Sequence, residues 1–247
     1  MNAKIFVCLE VGAQSTGAFV PECPGCWVFG RTKERAMEKV RIAVVDWHEW
    51  LKKHEECISD INRKVEIEIG EMLCVDYNPA ESGKPEPLFW SEVLPVQRAD
   101  IERTVKLMEY SRKDLLGLIS NISDECLDWK PPGKPRTIRN CLEHIAYVEP
   151  WYISRLNIEV SEDYPENVFE LLNYTRDTVM KCLKDFPDRK MNGIFQPAKD
   201  KSPVCDLWTA RKVLRRLVDH ERLHTKYIEK VLRMYHIRRE HKNGSIA

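Results

Sequence analysis

The apolar residues of this chain change their spacing once, and that change restricts the fold more than any other feature of the sequence. In the first 76 residues they alternate within short runs, as in KVEIEI at residues 64–69, which is typical of strands with one solvated face. From residue 98 onward they recur every three or four residues, which predicts amphipathic helices. A chain of 247 residues has room for two domains. We therefore expect a two-domain α+β protein, with a mixed domain at residues 1–76 and a helical domain at residues 98–235.

The first domain is predicted to follow the order β-β-β-α-β. Proline and glycine in PECPG, residues 21–25, favour a turn between the second and third strands. Thr32 is a suitable N-cap for a helix that extends to about His54. The four strands are expected at residues 4–11, 17–20, 26–30 and 64–69.

The composition of NPAESGKPEP, residues 78–87, is that of an exposed connection, which places a linker at residues 77–97. Helices without intervening strands are expected beyond it, and they pack most economically as a four-helix bundle. The first is expected to be capped by Asp100, the second by Thr137, the third to span residues 168–186, and the fourth to start near Thr209, before a basic tail at residues 236–247.

Composition and charge exclude several classes of partner. Lys and Arg together number 39, as do Asp and Glu, so the formal net charge is zero and no general attraction to nucleic acid or anionic lipid is expected. No run approaches the roughly 18 consecutive apolar residues of a membrane span. The nine cysteines do not form the pattern of a disulfide framework. With no apolar leader at the N-terminus, we expect a cytoplasmic protein with no membrane partner and no specific nucleic-acid partner.

Three histidines are predicted to form a divalent-metal site. His220 and His224 are four residues apart, so both project from one face of the fourth helix, and they continue its apolar seam toward the interior. Two inward imidazoles need either polar partners or a shared cation. His144 on the second helix is the best candidate for a third ligand, because bundles build metal sites from facing helices.

The same pentad, His220–His224, also matches the zinc-protease motif H-E-x-x-H, in which the glutamate is the general base. The position six residues after His224 is Lys230, where one class of these proteases needs a histidine, and a helical bundle lacks the sheet of a protease cleft. Glu221 is instead predicted to lie at the surface or beside a ligand. Surface positions are also predicted for His48, His54, His236 and His241.

Cys23 and Cys26 form a CxxC motif, which in another context would indicate a redox pair or half of a zinc site. Here no second CxxC follows, and the pair lies between two strands instead of opening a helix. We interpret it as a proline-glycine turn with incidental thiols.

Two segments resemble known families. The first is PECPGCWVFGRTKERAMEKVRIAV, which resembles HicB-like antitoxin domains. This resemblance implies a partial RNase H-like fold at residues 1–76 without nuclease residues, acting as a binding or oligomerisation module.

The second resemblance is to the DinB or YfiT-like superfamily of metal-binding four-helix bundles, and it lies in TIRNCLEHIAYVEPWYI and LWTARKVLRRLVDHERLHTKYI. That resemblance implies an up-down-down-up bundle and a three-histidine site at His144, His220 and His224. Members with known activities are thiol-dependent transferases or isomerases. Arg136 stands where many members carry Trp.

These observations lead to two functional hypotheses. In the first, three neutral imidazoles hold Zn or Ni with an open position, and the protein transfers a low-molecular-weight thiol to a small electrophilic molecule. No side chain is assigned as catalytic. In the second, the protein is a non-enzymatic, antitoxin-like regulator: its N-terminal domain binds a partner or forms a homodimer, and the metal is structural.

Overall fold

The computed structural model describes residues 4–57, 66–81, 86–197 and 206–244, with side chains of the last segment described through Glu240. This part of the chain has a mixed α+β fold, as predicted, with one four-stranded sheet and seven α-helices. The strands are β1 (Lys4–Val11), β2 (Thr16–Phe19), β3 (Trp27–Gly30) and β4 (Glu66–Cys74). The helices are α1 (Lys33–Lys53), α2 (Trp90–Val93), α3 (Arg98–Ile119), α4 (Asp124–Asp128), α5 (Ile138–Ser154), α6 (Val168–Lys184) and α7 (Ala210–Gly244), and Asp188–Lys190 form a short 3₁₀ turn.

The N-terminal unit, which comprises β1 to β4 and α1, has the predicted order β-β-β-α-β. Its strands are arranged β3-β2-β1-β4, with β1 antiparallel to β2 and parallel to β4. The hydroxyl of Thr32 accepts a hydrogen bond from the backbone N–H of Arg35 at 3.3 Å, which confirms the predicted cap of α1. Strand β4 continues beyond the predicted end at Ile69 to Cys74. Residues 64 and 65, where that strand was expected to begin, lie outside the described residues.

Gly30 shows how closely the sheet and α1 approach each other. A Cβ added at Gly30 would lie 2.3 Å from the backbone nitrogen of Ala36, so any larger residue would push the helix away from β3. The buried residues of α1 pack on one face of the sheet through the seam Ala36, Val40, Ala43, Val44, Trp47 and Leu51.

The helical region consists mainly of α3, α5, α6 and α7, which pack on one another. The predicted Thr137 cap of α5 is confirmed, since its hydroxyl accepts from the N–H of Asn140 at 3.1 Å. The predicted cap of α3, Asp100, is wrong: Gln97 is the N-cap, and the carboxylate of Asp100 accepts from its backbone N–H at 2.8 Å. Helix α7 runs on to Gly244, so residues 236–244, predicted as a tail, are helical.

None of the described helices is both long and apolar enough to cross a membrane.

The N-terminal unit and the helical region share one hydrophobic cluster, in which Val7 and Leu9 of β1 belong with Val213 and Leu217 of α7. Residues 86–97, within the predicted linker, pack into this junction. The ring of Phe89 lies 5.1 Å from that of Phe19, centroid to centroid. The first half of α7 is therefore covered by the N-terminal unit.

Candidate metal centre

Helices α5 and α7 bring the three predicted ligands together. One ligand nitrogen from each of His144, His220 and His224 lies within 4.8 Å of the others. The Nε2 atoms of His144 and His220 are 3.1 Å apart. His220 is buried and the other two rings are half-buried. The face of α7 that carries His220 and His224, which its 3.6-residue period predicted to point inward, therefore meets the face of α5 that carries His144.

All three imidazoles are neutral near pH 7. Burial lowers the pKa of His144 to about 4 and that of His224 to about 3. Burial also lowers the pKa of His220 well below its usual value, and the nearby His224 ring and Arg216 guanidinium add to this shift. The neutral ring is the form that donates a nitrogen lone pair to a metal.

The donor set could hold a divalent metal ion. Zn–N bonds of about 2.0 to 2.1 Å in a tetrahedral site place adjacent nitrogens about 3.3 Å apart, close to the 3.1 Å between His144 and His220. Imidazole nitrogen suits Zn and Ni, as well as Cu and Fe. A hydrogen bond between two neutral rings has a similar length, and a metal titration separates the two interpretations.

Cys141 was not identified as part of this site from the sequence. Its Sγ atom lies 3.4 Å from Nδ1 of His224, which leaves the Nε2 edge of that ring for the cluster. The thiol is fully buried, and burial raises its pKa to about 12, so it stays protonated at neutral pH. The spacing of Cys141 and His144, three residues apart on α5, was the signal available in the sequence.

The three histidines line a cavity of about 660 Å³. One side of its wall belongs to the helical region and includes Arg136, Tyr147 and Trp151. The other side belongs to the N-terminal unit and the chain that follows it. This side contributes Glu10, Trp27, Phe29, Tyr77, Pro79 and Glu86. The candidate centre is therefore shared by both parts of the chain, which no local pattern in the sequence indicated.

Glu221 is fully buried, with 1% of its surface exposed, so of the two predicted positions, at the surface or beside a ligand, the surface position is wrong. Its carboxylate accepts hydrogen bonds from Arg112 Nε at 2.6 Å and from Arg176 Nη2 at 2.7 Å. Burial raises the pKa of Glu221, but the two arginines outweigh this effect and keep it below its usual value. Because both carboxylate oxygens are engaged by arginines, Glu221 is not available as the base of a zinc protease.

Glu149 of α5 completes this arrangement. It accepts hydrogen bonds from Arg112 at 2.9 Å and from Arg176, so each carboxylate contacts both arginines. We call Arg112, Glu149, Arg176 and Glu221 the buried charge ring. It links α3, α5, α6 and α7 beside the histidines, because Glu221 follows His220 directly in the sequence.

Of the other histidines, His54 corrects a prediction. Its side chain is 4% exposed, stacks on the ring of Tyr110 at 4.3 Å between centroids, and lies 3.1 Å from Asp114. It belongs to the contact between α1 and α3, so the predicted surface position is wrong. His48 is half-buried and His236 is exposed, while the side chain of His241 lies outside the described residues.

Cys23 and Cys26 lie in a turn, as predicted, and both are buried. Gly25 has φ of +97°, a conformation that favours glycine, and its N–H donates to the carboxylate of Asp219 at 2.5 Å. The turn thus docks on α7 one residue before the first metal-ligand candidate of that helix.

A helical region that opens three neutral histidines onto a cavity defines a candidate metal-binding helical protein. Residues 107–228 match the family model of the DinB superfamily, so this part of the chain is DinB-like. The match covers just under half of the chain and contains all three histidines. No curated protein and no solved structure matches the chain significantly.

Proposed function

We propose that this protein is a divalent-metal-dependent DinB-like transferase that joins a low-molecular-weight thiol to a small electrophilic molecule. Zn or Ni would be held by His144, His220 and His224. The observation that carries the proposal is the opening of three neutral imidazoles onto a cavity of about 660 Å³. Such a cavity has the size of a typical small-molecule site.

When bound, the ion supplies acidity, because a thiol that coordinates it loses its proton near neutral pH. The residues of the chain have other roles. The three histidines hold the site, and Tyr147 and Trp151 in the cavity wall offer aromatic surface to the apolar part of the electrophile. The new bond joins the thiol sulfur to the electrophilic carbon while the bond from that carbon to its leaving group breaks. A displaced halide leaves with the thiol proton passing to solvent, and the alkoxide of an opened epoxide takes up that proton in the product.

The chain itself does not provide this thiol at the described site. Cys141 is the cysteine closest to the histidines in sequence and contact, but its thiol is sealed from the cavity and stays protonated. Glu221 is held by two arginines and cannot take the proton. A separate thiol cosubstrate therefore fits the site better than a nucleophile from the protein.

The fold proposed with this function is an up-down-down-up four-helix bundle that follows a HicB-like unit. The packing of α3, α5, α6 and α7 supports the bundle, and the DinB superfamily match supports the same assignment. The strand order β3-β2-β1-β4 with α1 on one face supports the partial RNase H-like unit.

The alternative is a regulatory protein whose metal only ties α5 to α7 and whose N-terminal unit binds a partner or a second copy. The apolar contacts of α5 and α7 weigh against a purely structural ion, because Ile145, Ala146 and Ile228 are already fully buried in one cluster between these helices. A structural ion also has no need of a cavity beside it.

An assay of thiol consumption separates the two. The full-length protein, loaded with Zn or Ni, is mixed with glutathione or cysteine and with an aryl halide or an epoxide, and the loss of free thiol is measured. We expect metal-dependent turnover that His220→Ala abolishes. The exposed His236 is the matched control, so His236→Ala should retain the wild-type rate. Bound metal with no metal-dependent turnover across the panel would favour the regulatory alternative.

A further inference from the structure

The cavity wall contributed by the N-terminal unit contains a carboxylate with an open side. Glu10, near the end of β1, is 8% exposed. The hydroxyl of Tyr77 donates a hydrogen bond to its Oε1 at 2.5 Å. Its Oε2 has no hydrogen-bond partner among the described residues, and this oxygen is not fully buried. This oxygen therefore faces the cavity.

The cations around Glu10 are already neutralised by other acids. Arg216 pairs with Glu86 at 2.7 Å, and Arg215 pairs with Glu92 at 2.7 Å and with Asp219 at 2.6 Å. Within the described part of the chain, Glu10 has no ion-pair partner of its own; its hydrogen-bond donor is a neutral hydroxyl. An ionised Glu10 is thus a negative charge that the protein itself leaves uncompensated.

Aromatic rings line the same cavity as this carboxylate. Trp27, Phe29 and Tyr77 line the cavity on this side, and Tyr147 and Trp151 line it on the helical side. A Cβ added at Gly17 would lie 3.4 Å from both Glu10 Oε2 and the ring of Phe29, so the carboxylate and the ring border the same space. Rings of this kind bind flat apolar groups and stabilise cations placed against their faces.

We propose that the N-terminal unit contributes a ligand subsite in which Glu10 binds the alkylammonium group of an arylalkylamine, while Trp27 and Phe29 contact its aromatic ring. The subsite rests on the proposed function and deepens it by naming a recognition group: the ammonium group anchors the substrate, whose electrophilic carbon lies elsewhere on the same molecule, because Glu10 and the histidines line one cavity. Binding at the subsite itself requires neither the metal nor turnover.

The ionisation of Glu10 gives this binding a pH dependence. Burial raises the pKa of Glu10 to about 7; Tyr77 opposes this shift, Glu86 adds to it, and Arg215 and Arg216 of α7 oppose it. An ammonium group binds the ionised carboxylate, so affinity should be about tenfold higher at pH 8 than at pH 6. The amine keeps its charge over this range, because alkylammonium groups have a pKa of about 10. The three histidines are neutral throughout it.

The test is a calorimetric titration of the metal-free, full-length protein with tryptamine, with indole-3-propionate as the matched anion. We expect tryptamine to bind, more tightly at pH 8 than at pH 6, and to bind at least tenfold more weakly to the Glu10→Gln variant. Glu22, exposed in the same unit, supplies the control Glu22→Gln, which should bind as the wild type does. No binding of tryptamine, tighter binding of the anion, or unchanged affinity in Glu10→Gln would overturn the proposal.

A second variant keeps the carboxylate and removes only its donor. Tyr77→Phe should raise the pKa of Glu10 further, so the affinity of this variant for tryptamine should fall at pH 8 and recover at pH 9. The affinity of Glu10→Gln should not recover. A Tyr77→Phe protein that binds like the wild type at every pH would contradict the role of Glu10. Because these titrations use no metal, they separate failure of the subsite from failure of the proposed thiol transfer.

Discussion

Two regions of this molecule bury charged side chains to a similar degree but use them differently. The buried charge ring holds two arginines and two glutamates, and each carboxylate contacts both guanidinium groups. At the junction between the N-terminal unit and α7, the pairing is incomplete. There, Arg216 has buried Nε and Nη1 atoms without hydrogen-bond partners, and Glu10 has no ion-pair partner in the described part of the chain.

The difference indicates what each region does. A closed ring has no free polar atom for a ligand, so its role is to fix the four helices relative to one another. The junction borders the cavity and retains a free carboxylate oxygen beside aromatic rings. The guanidinium of Arg216 lies 3.9 Å from the ring of Trp27, which accounts for part of its missing hydrogen bonds. We infer that the ring stabilises the fold and that the junction forms the binding surface.

The largest effect should come from opening the ring. Glu221→Gln removes one negative charge and leaves the two buried arginines with a single carboxylate, which should lower the free energy of unfolding by about 3 to 5 kcal/mol. Urea denaturation measures this. The exposed pair of Arg233 and Glu229 offers the control, since Glu229→Gln should cost less than about 1 kcal/mol. Equal losses in the two variants would mean that the ring does not hold the helices.

A somewhat smaller effect of opposite sign is expected at the junction. The pKa of Glu10 is raised from 4.5 to about 7, so the folded state holds the proton more tightly than the unfolded state does. The contribution of Glu10 to the free energy of unfolding is fully present below pH 4.5. It is lost as the pH rises through 7, which lowers the free energy of unfolding by about 3 kcal/mol. Glu10→Gln should therefore stabilise the protein at pH 8 and change little at pH 4.5. Urea denaturation at both values, with Glu22→Gln as the reference, checks this; destabilisation at pH 8 would contradict it.

The sequence was sufficient for what depends on a single element. The periods of two and 3.6 residues predicted the order of the four strands and the five long helices but not the short helices α2 and α4. The spacing of His220 and His224 placed both on the inward seam of α7. Thr32 and Thr137 were identified as caps because a cap is a contact within one turn. Asp100 was misplaced by one turn, since it bonds the N-cap from inside the helix.

What the sequence could not show depends on contacts between distant elements. Glu221 lies about 100° round the helix from His220, on a face that would be solvated if α3 and α6 did not cover it with arginines. Lys212, Arg215 and Arg216 likewise have the pattern of a wet face, yet the N-terminal unit and residues 86–97 bury them. The same docking creates the cavity wall at Glu10 and Trp27.

The most direct test of the central claim is the metal content of the purified full-length protein after dialysis against Zn or Ni, measured by mass spectrometry of the elements. His144, His220 and His224 should hold one ion per chain, and replacing any one of them by Ala should reduce the bound metal well below one ion, with His236→Ala unchanged. Wild-type protein that retains no metal, or a triple variant that binds as much as the wild type, would contradict the assignment and leave the contact between His144 and His220 as a hydrogen bond of the core.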